Sequence, residues 1–228
     1  AGMGRSILTR GRFARVDELS GRKARDPLHF GSGTFATFPA RPSVRLVNPL
    51  TIRAFNEAWY RKAPRRDRHR LQTISQFFHP LDMVAEWNRV YGRSGLLQWQ
   101  CAVPLDATED LRWIVGRLSE SGCSSFLNVL KRFGPGNQGP LSFPMAGWTL
   151  AIDVPTVGLD GLAGLLDQLD RRVVAVGGRL YLAKDSRMDP AHLTTMYPRL
   201  DEWRKVRASV DPDGVLNSDL ARRLGLCG

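Results

Sequence analysis

Residues able to do chemistry are sparse in this chain. The most pointed is Lys184, which follows a short apolar run and precedes Asp185 and Arg187. An ammonium at a strand end can stabilise negative charge that develops during a reaction. With a lowered pKa it can instead accept a hydroxyl proton. The plain alternative is a surface lysine paired with Asp185. Gln98 and Gln100 alternate with apolar residues in Leu97-Gln98-Trp99-Gln100-Cys101-Ala102-Val103. That period places both amides on one face of a strand. They are either hydrogen-bonding groups for a polar ligand or exposed positions on a half-buried strand. Leu127, Val129, Lys131 and Phe133 share a strand face by the same count. They line a pocket or pack in a core with Lys131 snorkelling outward. Thr149, Ala151 and Asp153 alternate with Leu150, Ile152 and Val154. His79 is the remaining candidate, in Phe78-His79-Pro80.

Other chemistries find little support. Cys101, Cys123 and Cys227 are odd in number and widely spaced, with no CxxC pair. Zinc, dithiol and disulfide-framework readings therefore fail, and no metal is expected. The six tryptophans are expected mostly in the core, with none assigned to chemistry. The loop Gly134-Pro135-Gly136-Asn137 joins two strands and opens no helix, the wrong context for a phosphate cradle.

These residues need elements to position them. Leu97 to Val103 predicts a strand, Thr108 to Ser121 a helix closed by Gly122, and Ser124 to Phe133 a second strand. Trp148 to Val154 is a third strand, Leu159 to Val176 an amphipathic helix ended by Gly177-Gly178, and Arg179 to Ala183 a short strand. Met188 to Ala208 is expected to be mostly helical, and Ser218 to cap a last short helix. Strand, helix, strand, strand, helix, strand implies an α+β fold: an antiparallel sheet covered by helices on one face. The other face would form one wall of a cleft. Residues 21–48 and 61–72 read as loops.

With 228 residues and 43% hydrophobic content the chain can build a real core. The formal charge is +11, and only five of 33 basic residues are lysine. Basic side chains cluster between Arg61 and Arg70. Such a run is a solvated loop or a patch for anionic lipid, phosphorylated substrate or nucleic acid. No aromatic residues interleave it, which weighs against single-stranded nucleic acid. No apolar run reaches transmembrane length, and Arg5, Arg10, Arg12 and Arg15 break any signal-peptide core.

Long blocks carry a family resemblance. They include Phe78-His79-Pro80-Leu81-Asp82-Met83, Ser125-Phe126-Leu127-Asn128-Val129-Leu130-Lys131 and Phe133-Gly134-Pro135-Gly136-Asn137-Gln138. Pro140 to Pro144, Gly178 to Arg187 and Met196 to Leu224 continue it. From about Gln76 onward the chain resembles the decaprenylphosphoryl-ribose oxidases, FAD-dependent vanillyl-alcohol-oxidase-like flavoproteins. The resemblance implies a substrate (cap) domain over residues 1–179 and a return segment of the FAD domain over 180–228. The main FAD-binding half would lie outside this sequence, so the chain alone is expected to hold no FAD and to be inactive.

The resemblance also implies roles. Lys184 would lie beside the flavin and the substrate hydroxyl, and Tyr181 would touch the FAD. Gln98, Gln100, Leu127, Val129, Lys131, Phe133, Thr149, Ala151, Phe78 and His79 would line the pocket. The reaction would oxidise the 2′-hydroxyl of a polyprenyl-phosphate pentose to a ketone, a step toward cell-wall arabinan. A quinone-like acceptor, a partner keto-reductase and a membrane surface at the cell envelope would complete the setting, without nucleic acid. Three positions depart from the pattern: Phe78 replaces tyrosine, Thr149 asparagine, and Ala151 the cysteine that nitroaromatic inhibitors attack. The alternatives are another sugar or alditol oxidase, or a flavin-free module for anionic lipid or nucleic acid.

Overall fold

The structure is a computed structural model describing residues 6–31, 33–34, 36–38, 47–63, 69–79, 82–123, 125, 127–156 and 160–226. Pro39, Pro42, residues 64–68 of the basic run, Pro80, Leu81, Phe126 and Cys227 lie outside the described residues. The chain divides into two compact units, residues 1–93 and 94–228.

The first unit is built of short elements. After a 3-10 turn at Val16–Glu18 come α1 (Arg22–Arg25), β1 (Ala36–Thr37), α2 (Pro49–Lys62), α3 (Ile74–Phe78) and β2 (Val84–Ala85). A second 3-10 turn spans Trp87–Tyr91. β1 and β2 pair in parallel, Ala36 opposite Val84. Helix α2 starts where Asn48 Oδ1 accepts the amides of Leu50 and Thr51, both at 3.0 Å. Pro49 occupies the first helical position, where its missing N–H costs nothing. Thr73 and Gln76 cap α3 reciprocally, at 3.2 and 3.1 Å. Two expectations need correction here. The loop read over residues 21–48 contains α1 and β1, and Arg61 and Lys62 of the basic run end α2 instead of opening a loop.

The second unit is a four-stranded sheet with helices. In chain order it has β3 (Leu96–Pro104), α4 (Thr108–Glu120), β4 (Asn128–Phe133), β5 (Gly147–Pro155), α5 (Leu162–Ala175) and β6 (Arg179–Leu180). After a 3-10 turn at Leu182–Lys184 follow another at Pro190–His192, then α6 (Leu193–Met196), α7 (Leu200–Val210) and α8 (Asp219–Leu224). The sheet order is β4-β5-β3-β6 and every pairing is antiparallel. This is the α+β arrangement expected.

One sheet face and the helices make the core. Trp99, Cys101, Val103, Leu150, Ile152 and Val154 meet Leu111, Ile114 and Leu118 of α4 and Leu165, Leu166, Leu169 and Val173 of α5. Each such side chain fully removed from water contributes about 1.5–3 kcal/mol. Gly147 is required where β5 crosses β3, because a Cβ there would overlap the Val103 carbonyl. Gly122 and Gly177 close α4 and α5 at φ 71° and 72°, a conformation glycine adopts without strain.

Four local expectations are corrected. β4 begins at Asn128, with Ser125 and Leu127 outside it, although the expected strand opened at Ser124, which lies outside the described residues. β6 stops at Leu180, after which the chain tightens into the 182–184 turn. The helical stretch 188–208 is broken, because Pro198 disfavours a helical Tyr197, which sits at φ −126° and ψ 76°. Of the tryptophans, Trp99 is buried, whereas Trp59 and Trp113 are exposed. Packing runs on through residues 179 and 180: Leu180 pairs with Cys101, and Tyr197 donates to the Leu180 carbonyl at 2.7 Å.

Candidate active site

Lys184 is placed by the end of β6. That strand covers only Cys101 and Ala102 of β3, and the Tyr181 amide adds one more bond to the Gln100 carbonyl at 3.0 Å. The chain then leaves the sheet, and the Lys184 amide closes the turn on the Tyr181 carbonyl at 3.0 Å. The open edge of β3 below this point borders a shallow depression. Gln98, Gln100, Tyr181, Lys184 and Asp185 line it. Lys184 is half-buried. Among the described residues no side chain forms a hydrogen bond or contact ion pair with its ammonium. The expected alternative, pairing with Asp185, is not what forms.

Asp185 is occupied elsewhere. Its Oδ1 accepts the amides of Arg187 at 3.2 Å and Met188 at 2.9 Å, and its Oδ2 pairs with Arg223 of α8 at 2.6 Å. Arg187 reaches the other way, to Asp167 and Asp170 of α5, the latter at 2.8 Å. Asp170 also accepts the Trp99 indole N–H at 2.8 Å. Burial raises the Asp170 pKa, and Trp99 and Arg187 oppose that shift. The turn bearing Lys184 is thus tied to β3, α5 and α8.

The polar sheet face lies opposite the core. Register puts Gln98 across from Asp153, Gln100 across from Ala151, Val129 across from Ala151, and Lys131 across from Thr149. Leu127 extends the row, its carbonyl accepting the Asp153 amide at 3.1 Å. Phe133 stands opposite Gly147 and edge-on to Phe143, whose ring stacks on Tyr181 at 4.6 Å. Gln98, Gln100, Leu127, Val129, Lys131, Phe133, Thr149 and Ala151 therefore belong to one face. The amide N–H groups of Gln98 and Gln100 are already used, on Asp153 Oδ1 at 2.8 Å and Thr149 Oγ1 at 3.0 Å. Their carbonyl oxygens remain as acceptors.

Phe78 and His79 belong to the first unit, at the end of α3, and both are exposed. Cys101 lies wholly in the core, and burial pushes its thiol up to about 12, so it is inert.

Asp153 was legible only as a member of the polar strand face. It is 2% exposed, and its Oδ2 is buried without a hydrogen-bond partner. The signal was a lone acid on a strand face whose other members, Thr149 and Ala151, are uncharged. Burial raises its pKa, opposed by Gln98 and by the nearby Lys184 charge. The native state therefore holds the proton more tightly than the unfolded chain. Its contribution to stability is present in acid and lost as pH rises through the native pKa. Asp153→Asn is expected to raise the melting temperature at pH 7, with the gain vanishing below the ordinary aspartate range of about 4. A lower melting temperature for the variant at neutral pH would contradict this.

Relatives of this chain carry oxidase names. Residues 165–224 match the family model of D-arabinono-1,4-lactone oxidase. More particularly, the chain is similar to decaprenylphosphoryl-beta-D-ribose oxidase of Mycolicibacterium smegmatis, 48% identical over 224 residues. That match covers 98% of this chain and 48% of the relative. An uncharacterized protein in the mprA 5′ region of Streptomyces coelicolor is 39% identical over 238 residues, covering 99% of this chain and 62% of that protein. The chain spans about half the length of the first of these relatives and under two thirds of the second. The resemblance seen in the sequence blocks is borne out.

Proposed function

We propose that this chain forms the substrate-facing part of an FAD-dependent oxidase that converts the 2′-hydroxyl of a polyprenyl-phosphate pentose to a ketone. The observation that carries the reading is the joining of Lys184 to the Gln98 and Gln100 face at one sheet edge, in a chain 48% identical to decaprenylphosphoryl-beta-D-ribose oxidase. The placement among vanillyl-alcohol-oxidase-like flavoproteins belongs to the same proposal. So do the division at residue 179/180, a quinone-like acceptor, a partner keto-reductase and a peripheral position at the envelope membrane. Exposed Phe55 and Trp59, beside Lys62, suit a membrane surface. No helix is long and apolar enough to cross a membrane among the described residues.

The residues fit a flavin: the Lys184 ammonium, without an ion-pair partner among the described residues, a half-buried aromatic in Tyr181 and a polar wall surround one depression. Bound FAD would supply the hydride acceptor. Lys184 would stabilise negative charge at the reacting centre, and Tyr181 would pack against the cofactor. Gln98 and Gln100 would accept hydrogen bonds from sugar hydroxyls through their free carbonyl oxygens. Thr149, Ala151, Val129 and Leu127 would shape the wall. Lys131, exposed on the edge strand, would meet the phosphate. Phe78 and His79 are proposed as further ligand contacts.

The deciding experiment joins this chain to an FAD-binding half, loads the product with flavin, incubates it with a polyprenyl-phosphate ribose and identifies the sugar by mass spectrometry. Loss of two hydrogens at C2′ is expected. Oxidation of simple alditols or aldonolactones instead would favour a different sugar oxidase, a second reading that the match to D-arabinono-1,4-lactone oxidase supports.

Position 151 offers a separate check of the sheet face. Ala151 is half-buried between Gln100 and Val129 and presents only a methyl group. Ala151→Cys is expected to gain a covalent adduct at residue 151 after turnover with a nitroaromatic inhibitor, whereas the parent gains none there. Peptide mapping reads the result. An active variant without adduct would show that this face does not meet the site.

A further inference from the structure

We propose that Phe143 is a positioning residue for the cofactor site: together with Ser142 it clasps the end of β6 and fixes the ring of Tyr181, the proposed FAD contact. Side chains alternate along extended backbone, so Arg179 and Tyr181, two residues apart, point to the same side. Two consecutive loop residues meet them there. Arg179 Nη1 donates to the Ser142 carbonyl at 2.5 Å. The Phe143 ring stacks on Tyr181, with centroids 4.6 Å apart and planes 29° from parallel. Arg179 is held in turn, its guanidinium lying over the Tyr197 ring at 5.8 Å.

Phe143 belongs to the irregular segment between β4 and β5, yet it is 6% exposed. Connecting segments ordinarily run over the surface and move more than the elements they join. This one is tied along its length. Arg199 donates to the Gln138 carbonyl at 2.6 Å, and the Ser142 amide closes a turn on the Gly139 carbonyl at 3.0 Å. Gly136 passes so close to the Pro144 carbonyl that a Cβ would lie 2.4 Å from it. Phe133, at the end of β4, meets Phe143 edge-on at 5.9 Å. Phe143 is thus a fixed backstop. Tyr181 is the half-buried ring that it supports at the rim of the depression lined by Gln98, Gln100 and Lys184. A ring already held in one rotamer spares a ligand the entropy of ordering it. The proposal rests on the oxidase reading for the identity of that ligand, but not for the clasp itself.

Two measurements separate the clasp from its use. In the chain labelled with 3-fluorotyrosine, the Tyr181 fluorine resonance is assigned by its absence in Tyr181→Phe. The ring current of a stacked neighbour shifts that resonance. Phe143→Leu, which keeps apolar volume and removes the ring, is expected to move it. Arg179→Met, which cuts the Ser142 tie and leaves Phe143 in place, should move it in the same direction. FAD affinity is then read by flavin fluorescence on the chain reconstituted with its FAD-binding half. Phe143→Leu should weaken it about 2–10-fold, the worth of one aromatic pair. Phe143→Tyr, which keeps the ring, should restore it, and the KM for the sugar should stay near the parental value. In a Tyr181→Leu background Phe143→Leu should add nothing, because a positioning residue acts through the ring it positions. A resonance unmoved in both folded variants, or equal losses of affinity with and without the Tyr181 ring, would overturn the proposal. So would parental affinity in Phe143→Leu beside a loss in Tyr181→Leu, which leaves the oxidase reading standing. The coupled loss in an enzyme that oxidises no polyprenyl-phosphate sugar would keep the clasp and remove that reading instead. A reconstituted enzyme that takes up no FAD would remove both.

Discussion

Lys184→Ala is expected to slow oxidation of the polyprenyl-phosphate sugar by about 10²–10³-fold, the usual cost of losing one preorganised charge at a reacting centre. The ammonium has no contact ion pair or hydrogen bond to another described side chain, so its removal strands little. Asp153 is bonded to Gln98 and not to Lys184. The melting temperature should therefore change little, and the KM should move less than kcat if the charge acts mainly on the developing transition state. Rapid-mixing kinetics with the flavin-loaded enzyme reconstituted with its FAD-binding half give the rate, and thermal unfolding gives the stability. A near-parental rate would remove Lys184 from the reaction.

Arg187→Ala is expected to have the largest effect on stability. Asp170 is 1% exposed and has Arg187 as its cationic partner, with Trp99 as a neutral one. Removing one side of a buried ion pair leaves the other charge desolvated and typically costs about 3–5 kcal/mol. The loss should appear as a lower midpoint in urea with an unchanged slope. Asp170→Leu in the same background should restore part of it, because the stranded charge is then gone. Additive losses in the double variant would show that the pair is not coupled. Since Arg187 also ties the Lys184 turn to α5, the single variant should lose activity beyond its loss of folded protein.

Much of the second unit was readable because its signals are local. The alternation of Leu97–Val103 and Trp148–Val154, the apolar stripes of α4 and α5, and Gly122 and Gly177 at their ends each act within a few residues. In the first unit the caps were there to be read. Asn48-Pro49 before α2 and the Thr73–Gln76 pair before α3 are start signals. They were overshadowed by the basic and Pro-rich composition around them. The break at Tyr197-Pro198 was likewise visible in the residues and lost to the apolar periodicity on either side.

By itself the sequence determined which side chains share a strand face, because a period of two is a property of the extended backbone. It therefore determined that Gln98 with Gln100, Thr149 with Ala151, and Val129 with Lys131 point together. Only the tertiary structure decided which strands adjoin and in what register. Gln98 meets Asp153 because β3 and β5 pair across 55 residues of chain, and no local pattern encodes that alignment. The same holds for Lys184. Its neighbour Asp185 looked like its partner in sequence, yet that carboxylate is drawn away by Arg223, 38 residues further on. Among the described residues the ammonium is left without a contact ion pair, because charge pairing follows distance in space and the depth of burial, not order along the chain.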